Sequence, residues 1–228
     1  MVLECETCPV KDRAACSVLS DAERADLAKH GRTVMLNRGD LLFEAGADNN
    51  SCATLVSGAL KVTSLDAEGN ESILALVHPA GFVGEMFTPF AHHEVSAVAP
   101  SKVCIFTRSD LEAVVESHPK LGIALLRRTQ EELHDARDLL DFSRRKSARA
   151  RLAAFLIATA RAASDSPCHP AGVFELPISR GEIGSMLGLT IETVSRQLGN
   201  LEDLSAIRRT GKRGIELVDP ALLGELAA

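Results

Sequence analysis

The stretch from Ile178 to Arg213 constrains the fold more than any other part of the chain. Its spacing predicts one helix over Arg180 to Leu187, a tight turn at Gly188, and a second helix capped by Thr190 that runs through Leu204. Gly184, Gly188 and Val194 fall where two helices must cross closely, and Ile183, Leu187, Leu198 and Leu201 supply the faces that pack. Glu192, Ser195 and Arg196 stand at i, i+3 and i+4, so they share the opposite, exposed face of the second helix. An exposed Arg suits guanine O6 and N7, a Glu accepts from cytosine N4, and a Ser touches a neighbouring thymine. Arg180, Thr190 and Thr193 flank that triplet and join it as candidate DNA contacts. Arg208 to Arg213 then reads as the tip of a β-wing, where Thr210, Lys212 and Arg213 can reach phosphate, with Ile215 to Val218 completing the hairpin. A solvated helical face would carry similar charges. The coincidence of turn, cap and polar triplet favours a winged helix-turn-helix that binds double-stranded DNA.

A net charge of −6 over 228 residues suits a DNA binder only once it is divided. Residues 144–228 hold 12 Lys and Arg against 9 Asp and Glu, whereas the remaining 143 residues hold 13 against 22. The basic surplus lies with the reading head, as phosphate neutralisation requires, and the front of the chain is acidic. That asymmetry implies a two-part chain. No leading apolar core marks a secretory signal, and the longest apolar run, Leu152 to Ala160, is about half a membrane span, so a cytoplasmic protein with no membrane partner is expected. Structural disulfides are rare in that compartment, so six cysteines call for a metal, redox or packing explanation. The absence of Trp and Tyr removes the stacking platforms used for single strands.

Cys5-x2-Cys8 brings two thiols to one side of a turn, and Cys16 can return from the following segment. Three converging thiolates suit zinc or an iron–sulfur cluster but lack a fourth ligand. Cys104, in Lys102-Val-Cys-Ile105, is the favoured fourth; Cys52 and Cys104 are each also readable as small buried strand residues, and Cys168 sits in a loop of the basic half. Ser20 with Glu23 forms a capping box for a short helix to His30, with Leu27 facing inward. From Arg32 to Phe106 short β-runs alternate with Gly and Asn turns: 33–36, 41–43, 53–56, 59–64, 72–77, 95–99 and 103–106. This pattern predicts an antiparallel barrel or double-sheet jelly roll. A short helix over 111–115 precedes a long one from Leu121 to about Arg145. Leu126, Leu133 and Leu140, with Ala136, form one stripe of that helix, suited to core or coiled-coil packing. Asp135, Asp138 and Phe142 form another; facing a two-fold partner, its carboxylates would meet their own copies and oppose association. Arg144-Arg145-Lys146 marks a hinge, followed by a helix over 152–163 and a loop over 164–172. The fold class is thus α+β: a cysteine-rich arm (1–17), an antiparallel β-barrel of jelly-roll type (18–115), a long dimerisation helix with its hinge (116–146) and a C-terminal winged helix-turn-helix (147–228).

The succession of barrel, long helix and winged helix-turn-helix resembles the catabolite-activator/fumarate-nitrate-reductase regulator superfamily over essentially the whole chain. Cys5, Cys8 and Cys16 in the pattern Cys-x2-Cys-x7-Cys, with Cys104 in Lys-Val-Cys-Ile, are similar to the ligand set of its oxygen-responsive branch. The resemblance implies a [4Fe–4S] cluster on Cys5, Cys8, Cys16 and Cys104, lost to oxygen, with the cluster-bearing form the DNA-binding homodimer. It further implies that Glu192-x-x-Ser195-Arg196 reads TTGAT half-sites of a palindrome, that Asp138 keeps the cluster-free form monomeric, and that the acidic loop Asp66 to Glu71 touches RNA polymerase. One departure is informative. The segment from Gly81 through Ala97 resembles a cyclic-nucleotide cassette, yet Val95 stands where those sensors place an Arg, with Glu94 before it. An anionic phosphate would find no cation there, so no cyclic nucleotide is expected. A zinc site or a Cys5–Cys8 thiol switch at the same positions is the alternative to the cluster. No nucleophile elbow, phosphate loop or metalloprotease motif is present, and the pair His92-His93 alone reads as an exposed loop, so the chain is not expected to be an enzyme.

Overall fold

The computed structural model describes residues 3–69, 71–85, 87–164 and 169–228. Asn70 of the 68–70 turn, Met86 of the cassette, and residues 165–168 of the predicted 164–172 loop, Cys168 among them, lie outside the described residues. The chain forms two compact units, one ending at Asp135 and the other beginning at Ala136, within the long helix.

The first unit opens with the cysteine arm. A chain of turns runs through it: Cys8 N–H donates to the Cys5 carbonyl at 3.4 Å, Ala14 N–H to that of Val10 at 2.8 Å, and Leu19 N–H to that of Cys16 at 3.1 Å. A short 3-10 turn covers Ala15–Val18. Helix α1 (Asp21–His30) follows with the expected reciprocal cap between Ser20 and Glu23, and Leu27 is buried. The barrel strands are β1 (Gly31–Leu36), β2 (Leu41–Phe43), β3 (Ser51–Ser57), β4 (Leu60–Leu65), β5 (Glu71–Val77), β6 (Phe82–Val83), β7 (Glu94–Ala97) and β8 (Ser101–Thr107). They pair antiparallel in two four-stranded sheets, β1-β8-β3-β6 and β2-β7-β4-β5. Alternation decides which side chains meet between the sheets. Leu55, Leu60, Val95, Val103 and Ile105 fill that core, whereas Phe106 and Cys104 belong to a second cluster with Leu3, Ala15, Leu19 and Leu27. The arm and α1 therefore cover the outer face of β8.

Helix α2 (Arg108–Ser117), capped by Thr107, leads into α3 (Pro119–Arg144). Leu121 and Ala124 of α3 are buried, and the Glu132 carboxylate accepts the Phe82 backbone N–H at 3.1 Å. Burial pushes the Glu132 carboxyl up to about 7. The leucine stripe faces away: Leu126, Leu133 and Leu140 are 61%, 49% and 64% exposed, and Ile123 extends it. Asp135 lies two residues after Leu133, Asp138 two before Leu140 and Phe142 two after it, and each step of two turns about 200° around the helix. The acidic stripe thus lies opposite the exposed apolar one. Phe142 of the acidic stripe sits under the Arg145 guanidinium, 5.4 Å from ring centre.

The second unit continues with α4 (Ala148–Ala162), β9 (Val173–Glu175), α5 (Arg180–Leu187), α6 (Ile191–Asp203), β10 (Ile207–Thr210), β11 (Gly214–Leu217) and α7 (Pro220–Ala227). The order β10-β11-β9 makes the wing sheet. Helix α4 is buried along Leu152, Ala153, Phe155 and Leu156, and it packs against α6 and α7. No helix among the described residues is long and apolar enough to cross a membrane.

Candidate cofactor cavity and nucleic-acid interface

Three separate pieces of the first unit carry thiols to one place. Cys5 and Cys8 come from the first turn of the arm, Cys16 from its 3-10 turn, and Cys104 from the outer face of β8, between Thr33 of β1 and Thr54 of β3. All four line a single cavity. Its walls are otherwise mostly hydrocarbon, from Leu3, Val56, Phe82, Phe106 and Leu121 among others, with Lys11 and Arg24 as the cations. Arg24 is 15% exposed and pairs with Asp21 at 2.6 Å. Cys52 is outside this set: it is buried, its Sγ 3.9 Å from the Phe106 carbonyl.

Burial favours the neutral thiol at Cys5, Cys16 and Cys104. Burial pushes Cys16 up to about 11 and Cys104 up to about 12, and the neighbouring thiols add to both; Cys5 is raised for the same reasons, against a smaller lowering by Arg24. Among the described residues no three His, Cys, Asp or Glu side chains converge in a way that would hold one metal ion. A four-iron cluster is held by four Cys thiolates, each on its own iron, in a pocket that shields it from water. The donor set and the apolar walls fit that group.

At the cassette position, Glu85 is occupied by its own loop. Its carboxylate takes the Nδ1 of His92 and of His93, and Thr88 Oγ1 donates to it at 3.2 Å. His92 and His93 are therefore partners of Glu85, a pairing the sequence did not signal. Val95 is buried in the barrel core.

In the second unit, the reading head assembles as its sequence implies. Helix α5 is capped by Ser179 and Glu182 reciprocally, and Gly188 ends it in the left-handed conformation at φ 63°. Gly184 is required by proximity, since a Cβ there would lie 2.6 Å from the Leu189 carbonyl oxygen. Thr190 Oγ1 accepts the Thr193 N–H at 3.3 Å and caps α6. Val194, Leu198 and Leu201 face inward, while Glu192 and Arg196 are exposed and Ser195 is half-buried. Arg180 donates to Ser195 Oγ at 3.3 Å, and the Glu192 carboxyl is held below its usual range by the backbone N–H at its own helix start and by Thr190. Lys212 is exposed at the wing turn, whereas Arg213 is half-buried and donates to the Pro177 carbonyl at 3.2 Å.

Comparison with known proteins agrees with both halves. Residues 150–226 match the Crp-like helix-turn-helix domain family, and residues 33–118 match the cyclic nucleotide-binding domain family. The transcriptional activator protein FnrL of Cereibacter sphaeroides is 30% identical over 98% of this chain and 91% of its own length. The chain belongs to the Crp/Fnr family of transcription regulators. The regulator is also 30% identical to the fumarate and nitrate reduction regulatory protein of Vibrio cholerae, over 99% of this chain and 90% of that one. Its fold superposes on FixK2 from Bradyrhizobium japonicum with a TM-score of 0.77 at 28% identity, covering 87% of the regulator and 98% of FixK2. These relatives are named as transcription regulators and not as enzymes.

Proposed function

We propose that this regulator is an oxygen-responsive transcription factor whose cavity thiols Cys5, Cys8, Cys16 and Cys104 hold a [4Fe–4S] cluster. The reading is carried by one observation: thiols from the arm and from a barrel strand line a single, largely apolar cavity. When bound, the cluster supplies an oxygen-labile centre and the positive charge that keeps all four cysteines deprotonated. The chain's own residues then set the response. Leu3, Val10 and Ala15 seat the arm, and Phe106 and Leu121 exclude water. Leu121 and Leu125 of α3 line the same cavity, so its filling bears directly on the helix that carries the exposed leucine stripe. A second copy of the chain covers that stripe, giving a homodimer.

On palindromic DNA of the TTGAT type, each recognition helix α6 would enter the major groove, with Arg196 on guanine, Glu192 on the paired cytosine and Ser195 on a thymine. Thr190, Thr193, Arg180, Lys212 and Arg213 would supply the phosphate contacts that fix that register. No cyclic nucleotide is required, given Val95 in place of a phosphate-binding cation. Contact of the 66–71 hairpin with RNA polymerase belongs to the same proposal.

The test is an absorption spectrum of protein purified without oxygen, repeated after exposure to air. Broad visible absorbance that bleaches in air, with matching iron and sulfide, and that is missing in Cys104→Ala, is the expected result. A colourless anaerobic protein with zinc or no metal would refute the cofactor assignment and leave the DNA-binding assignment standing.

A further inference from the structure

Arg151, in the first turn of α4, bridges parts of the second unit that are remote in sequence. Its Nε donates to the Arg145 carbonyl at 2.7 Å, just beyond the end of α3. Its Nη1 donates to the Leu187 carbonyl at 3.1 Å and lies 3.5 Å from that of Gly188, at the end of α5 where the helix-turn-helix turn begins. One planar guanidinium thus satisfies carbonyls left over at the ends of two helices, and its charge complements the negative end of α5. The Arg145 side of the bridge is itself braced. Arg145 pairs with Asp141 at 3.1 Å and covers Phe142, and Ser147 caps α4.

We infer that Arg151 is a positioning residue that locks the end of α3 to the turn preceding the recognition helix, and so sets the half-site spacing the regulator accepts. The inference rests on the proposed two-fold binding to paired half-sites. Its logic is mechanical. Nothing in the Arg151 contacts touches the base-reading face of α6, so the residue governs where that face is held and not which bases it prefers. Inserting or deleting one base pair between half-sites moves them by about 3.4 Å and turns them by about 35°. A rigid link between the dimer helix and the reading head rejects that displacement; a loosened link tolerates it.

The experiment measures anaerobic binding of the full-length protein to duplexes with optimal half-site spacing, with spacings one base pair longer and shorter, and with a single half-site. Arg151→Met, which keeps the stem but has no donors, is expected to lower the preference for optimal spacing by about tenfold. Its base discrimination on the single half-site should stay unchanged. Arg151→Lys keeps the charge at the end of α5 but lacks the fixed fork. It should melt near the wild type, even if Arg151→Met fails to fold, and still lose most of the spacing preference. A folded Arg151→Met or Arg151→Lys protein with the full wild-type preference overturns the inference. Wild-type protein indifferent to spacing would overturn the two-fold reading and this inference with it.

Discussion

The two stripes on α3 make opposite predictions, and Leu133 and Asp138 separate them. In the single chain Leu133 is 49% exposed. Complete burial of a leucine side chain is worth about 2 kcal/mol, so roughly 1 kcal/mol remains for a partner to provide at each copy. Leu133→Ala removes that contribution from both protomers, about 2 kcal/mol for the dimer, which corresponds to a roughly thirtyfold weaker association. Leu133→Asp goes further, because it sets two carboxylates against each other where hydrocarbon should meet, and the protein should sediment as a monomer. Asp138→Ala changes the far side of the helix and should leave association within about threefold of wild type. Analytical ultracentrifugation of anaerobic protein over a concentration series reads all three constants, and mobility shift with a palindromic duplex reads the consequence for DNA. Strong dimerisation of Asp138→Ala in air, or a wild-type constant for Leu133→Ala, would show that the acidic stripe and not the leucine stripe is the contact face.

Three further outcomes are expected. Gly184→Ala drives a Cβ against the Leu189 carbonyl oxygen, so the helix-turn-helix should open and unfold about 2 kcal/mol more easily, seen as a lower melting temperature and lost DNA binding. Burial raises the folded-state pKa of Glu132 to about 7 from a normal value of 4.5, so its neutral form is favoured in the native state. That stability is complete below about pH 4.5 and is lost as pH rises through about 7; Glu132→Gln should abolish this slope, about 3 kcal/mol across the window, in denaturant titrations at pH 5 and 8. Arg196→Ala should weaken binding to the proposed site by about 1–3 kcal/mol and relax discrimination at the guanine position alone, which a panel of single-base variants measures.

Much of this architecture was written locally. The caps at Ser20 and Thr190 and the turn at Gly188 are decided within a few residues, and each lies where the sequence places it. Thiol spacing alone leaves Cys104 barely favoured over Cys52 and Cys168 as a companion to the arm; the family resemblance, not the spacing, singles it out. What escaped the sequence depended on contacts between distant segments. Strand β6 is only two residues long and exists because Phe82 and Val83 pair with Thr54 and Ala53. Glu132 looks like any helical glutamate until its carboxylate is found on the Phe82 N–H. The leucine and aspartate stripes are equally regular in sequence, and only exposure shows which is apolar surface without cover. Helix α7 was the exception that could have been read, since Asp219 before Pro220 is a strong start signal, and Leu223 is buried beyond it.

The arm is fixed to the barrel chiefly by Leu3, Val10, Ala14, Ala15 and Leu19, all buried, rather than by its sulfurs. A hydrocarbon anchor is indifferent to redox state. Stripping the thiols of whatever they bind therefore leaves Cys5, Cys8 and Cys16 parked beside Cys104, with no chain entropy to be lost again before the site can be refilled. If the proposed cluster is what these thiols hold, a regulator built this way would be rechargeable, its recovery after oxygen exposure limited by the supply of iron and sulfide and not by refolding of the arm.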